Sequence, residues 1–283
     1  MNTIRSITDL RAALDAPRRA RRVIGLVPTM GALHEGHLSL LRRAREQCDV
    51  VVMSLFVNPS QFNEAADLAA YPRDEQRDLA LAEREGVDFV FAPSPEEMYP
   101  PGFATTVSVA GVTEPLEGEH RGRAHFEGVT TVVTKLLNIV GPDAAYFGQK
   151  DAQQAVVIRR LVADLDIPVR IEVCPTAREP DGLAMSSRNA LLSPDQRSRA
   201  ASLHRALSAI QDAVDAGEQD PVAARAQALA ELPGTELELE YLELVSPDTL
   251  APLERLDGEA LAVIAARIGA TRLIDNEVIN GRH

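Results

Sequence analysis

The sequence predicts an α/β fold: a doubly wound, Rossmann-like parallel-sheet domain with a smaller C-terminal α+β domain. Apolar, branched runs alternate with stretches of helical period up to about residue 176. The first two apolar runs and the helical stretch between them span about 35 residues, which is a βαβ unit and requires parallel strands. Beyond residue 176 this alternation stops. We therefore predict a sheet domain at residues 1–176 and a lid domain at residues 177–283.

Five strands of the first domain are predicted from apolar or alternating runs. They cover residues 23–27, 50–57, 87–91, 144–147 and 169–173. Helices are predicted between them where apolar side chains recur every three or four residues, or where charged helix formers dominate. Those helices cover residues 38–48, 74–85, 129–140 and 158–165, and Gly141-Pro142 ends the third of them.

The second domain begins with a polar loop at residues 178–189. Ser193, Pro194 and Gln196 then have the order of a helix start, namely an N-cap, a first-turn proline and a capping-box partner. Helix-forming sequence continues to about residue 230. Strands are predicted at residues 236–245, 261–268 and 271–279, the last two joined near Gly269.

Composition and charge exclude several classes of protein. The net charge of −13 repels polyanions, and the basic run at residues 18–22 has no interleaved aromatic residues, so no nucleic-acid partner is expected. Cys48 and Cys174 form no C-x-x-C pair, which favours a reducing, cytoplasmic setting. No apolar run approaches the ~20 residues of a membrane helix, and no signal-peptide region is present, so no membrane partner is expected.

Four polar clusters follow strands of the predicted sheet, where ligands of open parallel sheets bind. The first, residues 28–37, contains Gly31, Gly36, His34 and His37 at or beside a helix N-terminus. Backbone N–H groups, the helix dipole and histidine donors favour a phosphate ligand there. His-x-x-His is also a partial zinc motif, although no Cys or His cluster supplies a third ligand, and ordinary surface histidines are the other alternative.

The other three clusters carry amides, hydroxyls and cations. Residues 58–62 offer Asn and Gln amides for hydroxyl or carboxylate groups, although Asn-Pro alone would indicate a turn. Residues 148–154 contain Lys150, a mobile cation suited to phosphate, although a Lys-Asp pair also caps helices. Residues 185–189 place two hydroxyls beside Arg188, which suits pyrophosphate but is also ordinary loop sequence. Neither a P-loop nor a G-x-G-x-x-G fingerprint occurs.

In this order, the four clusters resemble the pantothenate synthetase family. The matching segments are PTMGALHEGH at residues 28–37, FVNPSQF at 56–62, FGQKD at 147–151 and GLAMSSRN at 182–189. Residues 34–37 and 185–188 also resemble the His-x-Gly-His and Lys-Met-Ser-Lys-Ser elements of the wider nucleotidyltransferase superfamily, which includes class I aminoacyl-tRNA synthetases. The resemblance covers nearly the whole chain and is strongest from about residue 24 to 192.

The resemblance implies an ATP-dependent condensation of (R)-pantoate with β-alanine through a pantoyl adenylate, releasing AMP and pyrophosphate. It also implies Mg²⁺ with ATP as co-substrate, no organic cofactor, and a homodimer. Two alternatives stay open: a related nucleotidyltransferase acting on another small acid, and a nucleotide-binding regulator without catalysis. Gln61 and Gln154 favour a hydroxylated carboxylate over a phosphate acceptor, which would call for more cations.

The resemblance assigns roles to residues that match the family motifs. The catalytic candidates are His37, the family's proton donor, with His34, Lys150 and Arg188. The candidates for binding pantoate are Gln61, Gln154 and, more weakly, Asn58. The candidates for contacting ATP are Met30, Gly31, Ala32, Leu33, His34, Glu35, Gly36, His37, Gly148, Gln149, Lys150, Asp151, Ala177, Met185, Ser186, Ser187 and Arg188.

Two further assignments concern magnesium and an arginine. Asp78 is the candidate near magnesium, although a single Asp on a charged helix is more often solvated. The family pattern Arg-Pro-x-His-Phe is one residue longer here, at residues 121–126. Either Arg121 or Arg123 therefore takes the family position of the arginine.

Overall fold

The computed structural model describes residues 1–62, 65–234 and 237–281. Glu236, which opens the predicted strand at residues 236–245, lies outside the described residues. The chain divides into two compact units. The first contains Met1–Gly148 and Gln153–Pro175, and the second contains Gln149–Ala152 and Thr176–His283.

A parallel sheet forms the centre of the first unit. Its described strands, with spatial order β1-β4-β3-β2-β5-β6, are β1 (Asn2–Ile4), β2 (Ile24–Thr29), β3 (Val50–Leu55), β4 (Phe89–Phe91), β5 (Ala144–Gly148) and β6 (Arg170–Cys174). Every neighbouring pair is parallel. The five strands predicted from sequence are confirmed, and β1 is an additional edge strand of only three residues.

Helices cover both faces of this sheet, which confirms the doubly wound fold. They are α1 (Ile7–Arg19), α2 (Glu35–Gln47), α3 (Ala65–Ala70), α4 (Glu75–Arg84), α5 (Pro95–Met98), α6 (Glu117–Arg121), α7 (Arg123–Val140) and α8 (Ala152–Asp164). One core lies under α1, α7 and α8 and includes Leu14, Val133 and Leu161. Another lies under α2 and α4 and includes Leu41 and Ala82.

The first helix was not predicted from sequence. The hydroxyl of Ser6 caps it by accepting from the Asp9 backbone N–H at 3.1 Å. Arg18 and Arg19, half of the basic run, lie in its last turn, where cations interact favourably with the helix dipole. Arg18 also donates to the Val140 carbonyl. These arginines therefore terminate a helix and do not form a phosphate-binding track.

The second unit contains α9 (Pro194–Ala200), α10 (Ser202–Asp215), α11 (Pro221–Ala230) and an antiparallel sheet of β7 (Glu238–Val245), β8 (Glu259–Ile268) and β9 (Thr271–Asn280). The predicted capping box is confirmed, because Ser193 and Gln196 accept from each other's backbone N–H groups at 3.3 and 3.0 Å. Gly269 makes the β8–β9 turn with a φ of +60°. Among the helices of the described ranges, none is long and apolar enough to cross a membrane.

Candidate functional site

The turn between β2 and α2 has a strained backbone with a specific support. Gly31 and Ala32 have φ values of +86° and +51°, in the left-handed region. A Cβ atom at Gly31 would lie 2.8 Å from Oδ2 of Asp78, so glycine is required there for space as well as conformation. Leu33 anchors the turn, since its side chain is buried in the core beneath α2.

Asp78 holds this turn from α4. Its two carboxylate oxygens accept from the backbone N–H groups of Ala32 at 2.9 Å and Leu33 at 2.8 Å. Its side chain is only 1% exposed, and the described residues contain no group of three His, Cys, Asp or Glu side chains arranged to hold a metal ion. This geometry does not fit the prediction of Asp78 as a magnesium ligand, because its oxygens already bind buried backbone donors.

His34 and His37 begin α2 and support each other's backbone. His34 is the N-cap, and its Nδ1 accepts from the Gly36 N–H at 3.2 Å. Nδ1 of His37 accepts from the His34 N–H at 3.3 Å, and the ring centroids are 4.2 Å apart. Since a backbone N–H can only donate, both Nδ1 atoms are acceptors, and each neutral ring carries its proton on Nε2. Two Nε2–H donors therefore lie at a helix N-terminus, where anions bind favourably.

Glu35, in the first turn of the same helix, is engaged with another side chain. Arg42 bridges it to Glu85, with a distance of 2.9 Å between Arg42 Nε and Glu85 Oε2. Hydrogen bonds from Arg42 hold the pKa of Glu35 below its ordinary value. Glu35 is therefore an anion whose charge is partly compensated by Arg42, and not a candidate proton donor at neutral pH.

Asn58 is the buried centre of a hydrogen-bond network just beyond β3. Its Nδ2 donates to the Gly128 carbonyl at 3.1 Å and to Gln61 Oε1 at 3.0 Å. Its Oδ1 accepts from the hydroxyls of Ser60 and Tyr99, each at 2.8 Å. All these groups belong to the protein itself, and Asn58 is 1% exposed. Asn58 therefore supports the site and does not fit the predicted direct contact with pantoate.

This network fixes the orientation of Gln61. The Gly128 carbonyl can only accept, so the nitrogen of the Asn58 amide must face it, and the same nitrogen then donates to Gln61 Oε1. Because its oxygen accepts from Asn58, the Gln61 side chain has its NH₂ group available as a donor. The Gln61 carbonyl also contacts His125 Nδ1 at 2.8 Å. Gln61 is thus a half-buried, pre-oriented donor, suited to a carboxylate or hydroxyl oxygen.

Gln153 and Gln154 have different environments in the first turn of α8. Gln153 is buried, accepts from the Glu117 N–H at 2.9 Å and donates to the carbonyls of Val112 and Pro115. Gln154 is half-buried and makes no side-chain hydrogen bond within the described part of the chain. Gln153 therefore fixes a loop, and Gln154 remains the candidate ligand.

In the second unit, residues Gln149–Asp151 form a short 3₁₀ turn that follows Gly148 at the end of β5. Asn276 of β9 holds this turn: it accepts from Gln149 Nε2 at 3.0 Å and donates to the carbonyls of Gln149 and Lys150, each at 2.9 Å. Lys150 Nζ lies 3.7 Å from Asp151 Oδ1, and the Lys150 side chain is only 18% exposed. The lysine is thus a half-buried cation on a fixed backbone.

A hairpin at residues 177–185 precedes the Ser-Ser-Arg cluster. The Met185 N–H donates to the Ala177 carbonyl at 2.9 Å, and Arg178 forms a β-bridge with Ala184. The guanidinium of Arg178 binds Asp275 through two hydrogen bonds of 2.7 and 3.1 Å. Residues 185–188 therefore follow directly on a hairpin that the Arg178–Asp275 pair attaches to β9.

The residues after this hairpin form a 3₁₀ helix, Ser187–Leu191, where a loop was predicted. The Ser186 hydroxyl caps it by accepting from the Arg188 N–H at 3.2 Å. The buried side-chain atoms without a hydrogen-bond partner in the described residues include Asn189 Oδ1, in this cluster, and Thr176 Oγ1, just before the hairpin. Such atoms are rare in folded proteins and are found where a ligand or water completes the site.

The two candidate arginines of the 121–126 segment differ in environment. Arg121 donates to Glu117 at 2.7 Å, and its side chain is 30% exposed. Arg123 donates to Glu127 at 2.7 Å and is 78% exposed. Gly122, with a φ of +76°, separates α6 from α7.

Sequence reasoning missed the residues that support the candidate ligands. Arg178, Asp275 and Asn276 in the second unit, and Tyr99 and Gln153 in the first, make most of the contacts that fix them. One signal was present, because Asp275 and Asn276 are adjacent polar residues inside a strand that otherwise reads as half apolar. A buried polar pair in a strand indicates a specific partner.

Known proteins similar to this chain share its family. The profile described as Pantoate-beta-alanine ligase matches residues 2–278. A pantothenate synthetase of Cereibacter sphaeroides is 55% identical over 274 residues, covering 96% of this chain and 98% of that protein. The crystal structure of a pantothenate synthetase from Thermus thermophilus has a TM-score of 0.93 and 47% identity, covering 98% of this chain and 99% of the other.

A further solved structure similar to this chain is a pantoate-beta-alanine ligase from Francisella tularensis, complexed with beta-gamma ATP and beta-alanine. It has a TM-score of 0.79 and 34% identity, and it covers 98% of this chain and 97% of its own. These matches confirm the resemblance and the fold expected from the four sequence clusters. The chain therefore belongs to the pantoate–beta-alanine ligase family and is a ligase.

Proposed function

We propose that this ligase condenses (R)-pantoate with β-alanine in two steps through a pantoyl adenylate. The observation that carries the proposal is the His34–His37 pair, which places two Nε2–H donors at the N-terminus of α2. In a group transfer from ATP, the protein must position the reactants and neutralise charge on the phosphates, and donors fixed before binding do this without reorganisation. The family membership supports the substrates ATP, pantoate and β-alanine.

In the first step, a carboxylate oxygen of pantoate attacks the α-phosphorus of ATP, and the bond to the β-phosphate oxygen breaks. Negative charge moves onto the departing pyrophosphate. In the first unit, His34 and His37 donate to phosphate oxygens through Nε2, and His37 is the proposed proton donor. Residues Met30, Gly31, Ala32 and Gly36 are proposed to contact the nucleotide from this turn and the start of α2.

The second unit also offers cations and hydroxyls suited to phosphate oxygens. Lys150 and Arg188 bind phosphate oxygens, and Ser186 and Ser187 donate through their hydroxyls. Asp151 is proposed to accept from the ribose, and Ala177 to meet adenine through its backbone. The unpartnered atoms Thr176 Oγ1 and Asn189 Oδ1 support a ligand beside this segment.

Pantoate has a carboxylate and two hydroxyls, and the amides of Gln61 and Gln154 match them. The Gln61 NH₂ group is oriented by Asn58 and donates to an oxygen of the acid. Gln154 contributes an amide that makes no side-chain hydrogen bond within the described ranges. Neutral amides hold the acid without lowering the nucleophilicity of its carboxylate as strongly as a cation would.

Magnesium is proposed to accompany ATP and not to occupy a cage of side chains. Mg²⁺ typically retains several waters and binds through substrate phosphates with one or two carboxylates. The described residues, which include no three-ligand group, fit this mode better than a dedicated site. The ion would supply positive charge to the phosphates of ATP.

In the second step, the amine of β-alanine attacks the acyl carbon of the adenylate. The bond from that carbon to the phosphate oxygen breaks, AMP leaves, and the amine loses a proton. AMP is a far better leaving group than hydroxide, which is why the acid is first adenylated. Because water would hydrolyse the adenylate, we propose that residues 178–189 restrict its access as a lid. Unchanged proteolysis of that loop on addition of ATP and pantoate would contradict the lid.

The experiment that tests the function is AMP release from ATP with pantoate, β-alanine and Mg²⁺ present and each omitted in turn. AMP formation that requires both organic substrates supports the ligase reaction. Pyrophosphate exchange with pantoate alone supports the adenylate. Exchange that depends on a different acid, and not on pantoate, would replace this proposal with adenylation of that acid.

Two proposals concern the surroundings of the enzyme. A homodimer is proposed on the family resemblance, and a mass of 30.6 kDa in sedimentation equilibrium would contradict it. A cytoplasmic location is proposed because Cys48 and Cys174 are both buried free thiols, which suits a reducing compartment. Fractionation of cells producing the native protein tests the location.

A further inference from the structure

The side chain of Asn276 forms hydrogen bonds with the backbone on both sides of the Lys150 Cα. Its two N–H donations go to the carbonyls of Gln149 and Lys150, at 2.9 Å each. The Gln149 carbonyl belongs to the peptide plane before the Lys150 Cα, and the Lys150 carbonyl to the plane after it. Because peptide units are rigid, fixing two successive planes fixes φ and ψ of the residue between them. Asn276 thus sets the direction in which the lysine side chain leaves the backbone.

The oxygen of the Asn276 side-chain amide also takes part in a hydrogen bond. Its Oδ1 accepts from Gln149 Nε2 at 3.0 Å, so the amide donates twice and accepts once. The residue is 3% exposed. A carboxylate at this position would present acceptors to two carbonyl oxygens, and an apolar side chain would leave those carbonyls unpaired. The geometry therefore requires an amide.

The adjacent residue, Asp275, holds the hairpin that carries the Ser-Ser-Arg cluster. It accepts two hydrogen bonds from the guanidinium of Arg178, and it is 3% exposed. The same guanidinium donates to the Gly182 carbonyl at 3.1 Å and to the Asn276 carbonyl at 3.3 Å. A bidentate Arg–carboxylate pair fixes orientation as well as distance. Arg178 thus links the two ends of the 178–182 turn to each other and to Asp275 and Asn276 on β9.

We propose that Asp275 and Asn276 are positioning residues for catalysis. Together they hold the Lys150 turn and the segment leading to Ser186, Ser187 and Arg188 against one short stretch of β9. The proposal rests on the phosphate-binding role of those residues given above. Lys150 and the Ser-Ser-Arg cluster are far apart in sequence. Within the second unit, both the Lys150 turn and the hairpin before the cluster are hydrogen-bonded to β9. A cation fixed in this way loses little freedom when it meets a phosphate.

The test is Asn276→Asp, assayed by AMP release and by pantoate-dependent pyrophosphate exchange. Because a displacement of about 1 Å at a reacting centre can cost ~10²-fold in rate, we expect kcat to fall about 10- to 100-fold. The KM for pantoate should be unchanged, since Gln61 and Gln154 are not displaced. Asn280→Asp is the matched control, as it makes the same change at an exposed position of β9 and should keep full activity.

A double variant separates positioning from a merely structural role. If Asn276 acts through Lys150, the combination of Asn276→Asp with Lys150→Ala should be no slower than Lys150→Ala alone. Multiplied losses in the double variant would overturn the proposal. Asn276→Ser keeps one donor and adds no charge, so it replaces Asn276→Asp if that protein does not fold. Arg178→Lys, which keeps the charge but loses the bidentate geometry, should also lower kcat.

The outcomes distinguish this proposal from the function on which it rests. Full activity in Lys150→Ala would overturn the phosphate role of Lys150 and, with it, the positioning role of Asn276. An impaired Lys150→Ala beside a folded, fully active Asn276→Asp would overturn the positioning proposal alone. A fall in kcat for both Lys150→Ala and Asn276→Asp, with full activity in Asn280→Asp, supports both proposals.

Discussion

The β2–α2 turn and the Gln149–Asp151 turn each follow a strand of the parallel sheet, yet they are built differently. In the first, His34 and His37 cap their own helix, so the candidate ligands also stabilise the local structure. In the second, the side chain of Lys150 takes no part in the hydrogen bonds that hold the turn, which are donated by Asn276. A motif can thus draw part of its support from its own candidate ligands, or its support can come from residues more than a hundred positions away.

This difference determines how substitutions should act. Replacing a histidine in the first turn removes a donor and a cap together, so activity and helix stability change in parallel. Replacing Lys150 removes a cation but leaves the turn intact, since its support lies elsewhere. The largest effects on chemistry are expected at the histidines, and smaller effects on chemistry, together with effects on stability, at the supporting residues.

The largest expected effect is that of His37→Ala. Losing one preorganised donor to a developing charge typically costs about 10²- to 10³-fold in rate, and pyrophosphate exchange should fall by that factor. The lost contact to the His34 N–H should cost only about 1 kcal/mol of stability, a typical effect of losing a helix cap. Rate measurements and urea unfolding of the same protein check both numbers. Near-normal exchange would refute the role of His37.

The next effect contrasts Gln61 with Asn58. Gln61→Ala should weaken pantoate binding about 10- to 100-fold, the cost of one hydrogen bond to a charged group, and leave ATP binding unchanged. Asn58→Asp should instead destabilise the fold, because a carboxylate would face the Gly128 carbonyl and Gln61 Oε1. Calorimetry with each ligand and thermal unfolding separate the two. Equal stability loss in both variants would mean that Gln61 is also a supporting residue.

Asp78→Asn tests whether the first turn depends on its carboxylate or on a metal. An amide nitrogen would face one of the two backbone donors, so we expect a loss of about 1–3 kcal/mol in the free energy of unfolding. Activity should fall and should not recover in excess Mg²⁺. Recovery with magnesium at unchanged stability would instead restore the metal role predicted from sequence. Asp74→Asn, at the exposed N-cap of the same helix, is the control.

The sequence predicted the parts of the molecule in which neighbouring residues carry the pattern. The five longer runs of the sheet, the Ser193–Gln196 capping box and the Gly269 turn each depend on residues within a few positions. The strand β1 was missed because three residues show no periodicity, and α1 because charged residues interrupt its apolar positions and it includes Pro17. Supports such as Asp78, Asn58 and Asn276 could not be separated from ligands, since only tertiary contacts distinguish the two.

The smallest effect concerns alkaline pH and should appear in the first unit. Burial raises the pKa of the Cys48 and Cys174 thiols and of the Tyr99 and Tyr146 hydroxyls, all of which belong to that unit. Tyr146 also lies 3.2 Å from Cys48. In the unfolded chain these groups ionise at their ordinary pKa values, from about 8.5 for a thiol to about 10 for a phenol.

Since folding favours the protonated forms, their contribution to stability is fully present below pH ~8.5 and is lost as pH rises above it. We therefore expect the urea midpoint to fall between about pH 8.5 and 10.5, and Cys48→Ala to reduce the slope. Amide hydrogen exchange measured at about pH 8.5 and 10.5, and corrected for the intrinsic exchange rate, shows which strands lose stability. Protection should decrease in β2, β3 and β5, which surround Cys48 and Tyr146, before it decreases in β7, β8 and β9. Loss that begins in the second unit would show that alkaline instability has another origin there.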